Sequence, residues 1–257
     1  MTENLLTIAG YDPSGGAGAG LDIRVFNRLG FRGGGVLTSV TAQNSARVTK
    51  AVYLPSWLVR SQYLTLAEEV RFSGIKVGMT GSLENLAAVA RILSANPSVP
   101  RVVDPVILSS SGSRLMEKSA VGRYLEILRG RADLITPNLY EASALARMPV
   151  RTVEDMERAA RVIFESSRVP CLVKGGHLRG AAVDVLYDGV RCSVFDHARV
   201  GKSVHGTGCF LSAAILGFFA RGSALRESCR RGIRLTEKAI RGAVPTGGGR
   251  AVFPASF

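Results

Sequence analysis

One cysteine of this chain stands in a setting that an ordinary buried thiol does not need. In "VHGTGCFLSAAI", Val204 to Ile215, Gly206 and Gly208 flank Thr207, and Cys209 falls where an apolar helix should begin. Consecutive free amides at a helix N-terminus form an anion hole, with the helix dipole behind it. The same field is expected to lower a thiol from ~8.5 into the ~3.5–7.5 range. A thiolate there could accept a proton at neutral pH. The competing reading of Cys209 is a small apolar filler in a tight helix cap.

Other groups point to phosphate chemistry. Asp104 in "VVDPV" and Glu141 in "TPNLYEA" are carboxylates placed to organise Mg2+, which takes one or two protein carboxylates and leaves the rest to water and phosphate. Asn138 adds an amide, although Glu141 could equally serve the charge balance of a helix start. Lys174 ends the apolar run "PCLVKG", where a lysine is costly unless it meets an anion. Gln43 and Asn44 in "VTAQN" offer donors and acceptors suited to a heterocycle edge, or to a loop hydrogen bond. "GYDPSGGAGAG", Gly10 to Gly20, allows close backbone approach but lacks the lysine of a Walker loop. Asp22 follows it, one turn into a helix, where a solvated carboxylate is the plain alternative.

These groups need a scaffold, and the hydrophobic pattern supplies one. "LLTIAG", "GVLTSVTAQ", "GIKVG", "RVVDPV", "DLITP", "PCLVKG", "VDVLYD" and "VRCSVF" read as strands, several of them apolar throughout, as when both sheet faces are covered. "LENLAAVARILSAN" and "VEDMERAARVIFESS" carry helical stripes between them. The alternation predicts a three-layer α/β/α fold, a mostly parallel sheet with helices on both faces, as one domain over 1–257. Six polar or glycine-rich signals then lie at strand C-termini, the edge where such sheets bind ligands.

Bulk properties narrow the class. With 257 residues and 46% apolar content the chain can bury a large core. No apolar run reaches the ~18 residues of a membrane span, and no secretory leader is evident, so a cytoplasmic protein is expected. The four cysteines form no C-x-x-C pair, which argues against zinc or a disulfide framework. The net charge of +13 is mostly scattered arginine. Arg230, Arg231, Arg234, Lys238 and Arg241 repeat at helical spacing and read as a solvated face; without aromatic interleaving, nucleic acid is not an expected partner.

Taken in order, "TIAGYDPSGGAGAGLD", "TSVTAQNS", "IKVGMTGS", "VVDPVILSSSGSRLM", "LITPNLYEASAL", "LVKGGHL" and "VHGTGCFLSAAI" resemble the hydroxymethylpyrimidine and hydroxymethylpyrimidine-phosphate kinases of thiamine synthesis, in the ribokinase-like superfamily. The resemblance runs nearly end to end. It implies transfer of the ATP γ-phosphate to 4-amino-5-hydroxymethyl-2-methylpyrimidine and then to its monophosphate. It implies that Cys209 is the base, with Gly206, Thr207, Gly208 and Lys174 in the transfer machinery. It places Gly10, Asp22, Gln43, Met79 and Val106 on the pyrimidine. Asn138, Lys174, Thr207 and Gly208 go to the nucleotide, and Asp104 and Glu141 to Mg2+. A homodimer is expected. "RVGKSVH" departs from the family's usual run, with Lys202 standing in for its basic residue, and the ending "PTGGGRAVFPASF" is expected to border the nucleotide. The rival readings are a pyridoxal or pyridoxine kinase and a non-catalytic pyrimidine- or nucleotide-binding regulator.

Overall fold

The computed structural model describes residues 3–109, 111–176, 178, 182–198, 200–247 and 249–254. Along them run β1 (Asn4–Tyr11), α1 (Gly18–Arg28), β2 (Arg32–Gln43), β3 (Val48–Tyr53), α2 (Ser56–Glu69) and β4 (Phe72–Val77). Then come α3 (Leu83–Ser94), β5 (Arg101–Val103), α4 (Lys118–Ile127), β6 (Leu134–Ile135), α5 (Leu139–Ala146) and α6 (Val153–Ser167). The last elements are β7 (Cys171–Lys174), β8 (Ala182–Tyr187), β9 (Cys192–His197), α7 (Thr207–Ala220) and α8 (Leu225–Arg241).

The strands form one sheet in the order β3-β2-β1-β4-β5-β6-β7-β8-β9. The run from β2 to β7 is parallel; β3 at one edge and the β8–β9 hairpin at the other are antiparallel. Alternation of side chains across the strands splits the core in two. Leu6, Val103, Ile135 and Val173 pack with α2 to α6, while Leu5, Val102, Leu134 and Leu172 pack with α1, α7 and α8. This is the expected three-layer α/β/α arrangement. The strand missed from sequence is β3, "VTKAVY": a half-exposed edge strand carrying Thr49 and Lys50 lacks the apolar run that marks the central strands. No helix among the described residues is long and apolar enough to cross a membrane.

α7 is apolar on every side because every side is covered, by the sheet, by α1 and by α8. Gly232 lets α8 close onto it, since a Cβ there would meet Ile215 Cγ1 at 2.5 Å. The basic stripe is the outer face of α8. Arg230 pairs with Glu227, and Arg231 lies 4.1 Å from the Phe218 ring centroid. Lys238 and Arg241 sit in the last turn, where the dipole favours cations.

Candidate active site

The sheet order reverses between β1 and β4, and a cavity of about 660 Å³ opens along the strand C-termini there and toward β9. Gly10, Gln43, Met79, Val106, Asp104, Asn138, Glu141, Lys174, Gly206, Thr207, Gly208 and Cys209 all line it. The sheet order sets Gln43 and Met79 toward one end and His197 toward the other, with Asp104 and Lys174 between. Two substrates can therefore meet over the middle strands.

That meeting point is the start of α7. Gly206 caps the helix at φ +82°, and a Cβ on it would lie 2.0 Å from the Gly16 carbonyl oxygen. Only glycine allows the turn to nest against the glycine-rich loop after β1. Asp12 Oδ2 and His205 Nε2, 2.8 Å apart, tie the same two loops together. The α1 N-terminus arrives beside them, and the Gly18 amide favours the Cys209 thiolate. Cys209 thus sits between two helix starts.

The expected depression of its pKa does not follow. Burial pushes the Cys209 thiol up to about 11; Lys76 and the Gly18 amide pull it down, while Asp22 and Asp104 raise it further. The helix field is real, but enclosure of a thiolate inside the cavity costs more than the field returns. The resting group is the thiol.

Under the α7 start, Lys174 Nζ meets Asp104 Oδ1 at 2.6 Å. A Cβ on Gly208 would lie 3.1 Å from that Nζ and 3.5 Å from Asp104 Oδ2, so the glycine lets both charges reach the free amides. Burial works against the Lys174 ammonium, but Asp104 and Glu141 overrule it and hold it raised. Glu141 closes a capping box: its Oε2 accepts the Asn138 N–H at 2.8 Å while Asn138 Oδ1 accepts the Glu141 N–H at 2.9 Å. Burial, with Asp104 adding and Lys174 opposing, pushes Glu141 up to about 7. The helix-start reading of Glu141 is therefore true, and it leaves a carboxylate facing the cavity as well. Asp104 Oδ1 is taken by Lys174 and Thr136, whereas Oδ2 makes no hydrogen bond among the described residues. Hard oxygen donors with open capacity beside a phosphate-sized anion site fit Mg2+ held partly through water.

Asp22 is placed differently from both sequence readings. It is neither solvated nor on the cavity wall: it is fully buried, with Lys76 Nζ at 2.9 and 2.7 Å and Thr7 Oγ1 at 2.6 Å. The inward face of α1 carries it beneath the floor. Lys76, missed from sequence, lines the cavity in its place. Its signal was a lone lysine in "GIKVG", a strand otherwise apolar. Lys202 is also reassigned: its Nζ donates to the carbonyls of Arg241 and Ala243 at 2.8 and 3.2 Å, capping α8. At the far end, His197 Nε2 lies 3.4 Å from Asp184 Oδ1, and that carboxylate raises the imidazole. Glu237, Thr236, Ile233 and Ile240 complete this end from α8. Arg250 brings the C-terminal segment to the wall; Ser110, His177, Arg199, Gly248 and residues 255–257 of the quoted motifs lie outside the described residues.

The sequence model of phosphomethylpyrimidine kinase matches residues 12–254. The chain belongs to the phosphomethylpyrimidine kinase family. It is 38% identical over 246 residues to a hydroxymethylpyrimidine/phosphomethylpyrimidine kinase of Streptomyces coelicolor, covering 95% of this chain and 91% of that one. It is 37% identical over 248 residues to a thiamine biosynthesis bifunctional protein of Geobacter sulfurreducens, covering 96% of this chain and spanning about half, 51%, of that longer relative. Among solved structures, the ADP complex of Bacillus subtilis pyridoxal kinase superposes with a TM-score of 0.90 at 29% identity, covering 100% of this chain and 98% of that one. A phosphomethylpyrimidine kinase of this kind is a phosphotransferase on a ribokinase-like fold, as the motif order implied.

Proposed function

We propose that this kinase transfers the γ-phosphate of ATP to the hydroxymethyl oxygen of 4-amino-5-hydroxymethyl-2-methylpyrimidine, and then a second phosphate onto the monophosphate, giving the diphosphate for thiamine synthesis. The observation that carries this is the junction at Cys209: two helix starts, Lys174 and the Asp104–Glu141 pair converge between the two ends of one cavity.

The ring lies at the β1–β2–β4 end. Met79, 7% exposed, packs on its face, Val106 on its edge, and Gly10 gives room, since a Cβ there would touch Ser39 Oγ at 2.6 Å. Gln43 has no side-chain hydrogen bond among the described residues, which leaves both ends of its amide for the ring nitrogen and amino group. ATP lies toward β9 and α8 with its γ-phosphate over Gly206, Thr207 and Gly208, and with Asn138 and Lys174 on its oxygens. Mg2+, held by Asp104 and Glu141 directly or through water, supplies neutralisation of the phosphate charge. Phosphoryl transfer passes through a loose transition state, so positioning and charge dominate. Cys209 orients the hydroxyl and, in its minor thiolate form, removes its proton. Asp22 acts only through Lys76. The homodimer belongs to this proposal, with exposed Val40, Val52 and Trp57 as its apolar face.

The similarity to pyridoxal kinases gives a second reading, although the matched family and the higher identities favour the pyrimidine. Incubation with ATP, Mg2+ and each ring, with products read by mass, separates them. Two successive phosphate additions to the pyrimidine are expected; phosphorylation of pyridoxal alone would overturn the proposal.

A further inference from the structure

The two acceptors differ in chemistry, although one site must take both. The alcohol is neutral and has to lose a proton. The monophosphate is an anion of about −1.5 to −2, and its attacking oxygen already carries charge. In the first transfer the hydroxyl oxygen bonds to the γ-phosphorus, the bond from that phosphorus to the bridging oxygen breaks, ADP leaves, and the proton passes to a base. In the second, a phosphate oxygen makes the bond, the same bond breaks, and no proton need be removed. A floor built for the alcohol alone needs no cation.

The floor here has one. Lys76 has no exposed surface, yet it is one of the residues that border the cavity. An ammonium has three donors. Both of its hydrogen bonds run to the single carboxylate of Asp22, and Nζ has no other partner among the described residues. Gly78 places no side chain against that end, where a Cβ would sit 3.1 Å from Nζ. Thr7 holds Asp22 from behind at 2.6 Å, so the ammonium is fixed in place. Cys209, where the acceptor oxygen must lie, feels this charge directly. Lys174, the other lysine of the site, is already engaged with Asp104 on the nucleotide side.

We infer that Lys76 is the binding residue for the phosphate of the monophosphorylated acceptor, and that it adapts an alcohol-phosphorylating site to the second transfer. This rests on the kinase reading above. Buried and pre-aimed, the ammonium replaces the water that a bound phosphate gives up.

The test compares kcat/KM for the pyrimidine alcohol and for its monophosphate, each supplied separately. Lys76→Met should lower the monophosphate-to-alcohol ratio by about 10- to 150-fold, the range for one hydrogen bond to a charged group. Lys76→Arg should restore part of it, and Cys209→Ala should move the ratio the opposite way. Because Lys76→Met strands Asp22, the paired variant Asp22→Asn with Lys76→Met is measured alongside, with thermal melts of each. The wild-type protein gives an independent readout by calorimetry without ATP: the monophosphate should bind at least as tightly as the alcohol. Tenfold weaker monophosphate binding, a wild type that accepts only the alcohol, or equal losses on both acceptors overturns the inference. A wild type that phosphorylates neither overturns the kinase reading instead.

Discussion

At pH 8 a thiol pushed up to about 11 is ionised in roughly one molecule in a thousand, whereas a free cysteine at ~8.5 is ionised in about one in four. Only the thiolate reacts with an alkylating agent. The population alone would make Cys209 about 240-fold slower than a free thiol. A more basic thiolate is more nucleophilic, with a Brønsted slope of ~0.4–0.5, which returns about 10- to 18-fold over ~2.5 units. The net expectation is labelling by iodoacetamide about twentyfold slower than free cysteine, before any loss from restricted access. The rate should climb tenfold per pH unit with no plateau below about pH 10. Site-resolved mass spectrometry against a free-thiol standard measures it. Lys76→Met should slow the reaction further, since that ammonium favours the thiolate. A plateau by pH 8 would refute the reasoning: it would mean that the two helix starts outweigh burial.

Removal of Cys209 as Cys209→Ala should cost ~10²–10⁴ in single-turnover rate on the alcohol if the thiolate is its base; a near-normal rate leaves the thiol only a positioning role. Glu141, raised to about 7, binds more protons folded than unfolded between about pH 4.5 and 7, so the stability it contributes is present at low pH and lost as pH rises through 7. Glu141→Gln should flatten that part of the pH–stability curve in denaturant melts and raise the Mg2+ needed for half-maximal activity. Gly206→Ala, at φ +82° with 2.0 Å to a backbone oxygen, should lose at least ~1–3 kcal/mol in urea melts together with activity. Gln43→Leu should weaken pyrimidine binding by about 1–3 kcal/mol with ATP binding little changed, measured by calorimetry.

The helix start at Cys209, the carboxylates after β5 and in α5, and the lysine ending β7 were legible because each is a local signal at a strand end or a helix start. What could not be read depended on depth. The sign of the Cys209 shift turns on how far the thiol is enclosed, which no neighbouring residue encodes. Asp22 read as a pyrimidine contact or a solvated carboxylate because its partner, Lys76, lies 54 positions away on another element. Lys202 stood in for the family's basic residue until α8 brought the carbonyls of Arg241 and Ala243 to it. The β8–β9 hairpin had the same alternation as its parallel neighbours. The tight turn, where Asp188 Oδ1 accepts the N–H groups of Val190 and Arg191, makes β9 antiparallel to β8.

The contact of Asp12 with His205 joins residues 193 positions apart, and the Gly206–Gly16 packing sits beside it. Neither half of the anion-binding junction exists without the other. A chain emerging from the ribosome therefore carries its loop after β1 long before it has anything to grip a nucleotide with. Closure of this junction spans most of the polypeptide, so loop entropy places it among the slow, late events of folding. Recovery of nucleotide binding during refolding should lag recovery of helical signal, and a truncated or stalled product would consume no ATP. The transfer centre doubles as a check that synthesis has reached α7.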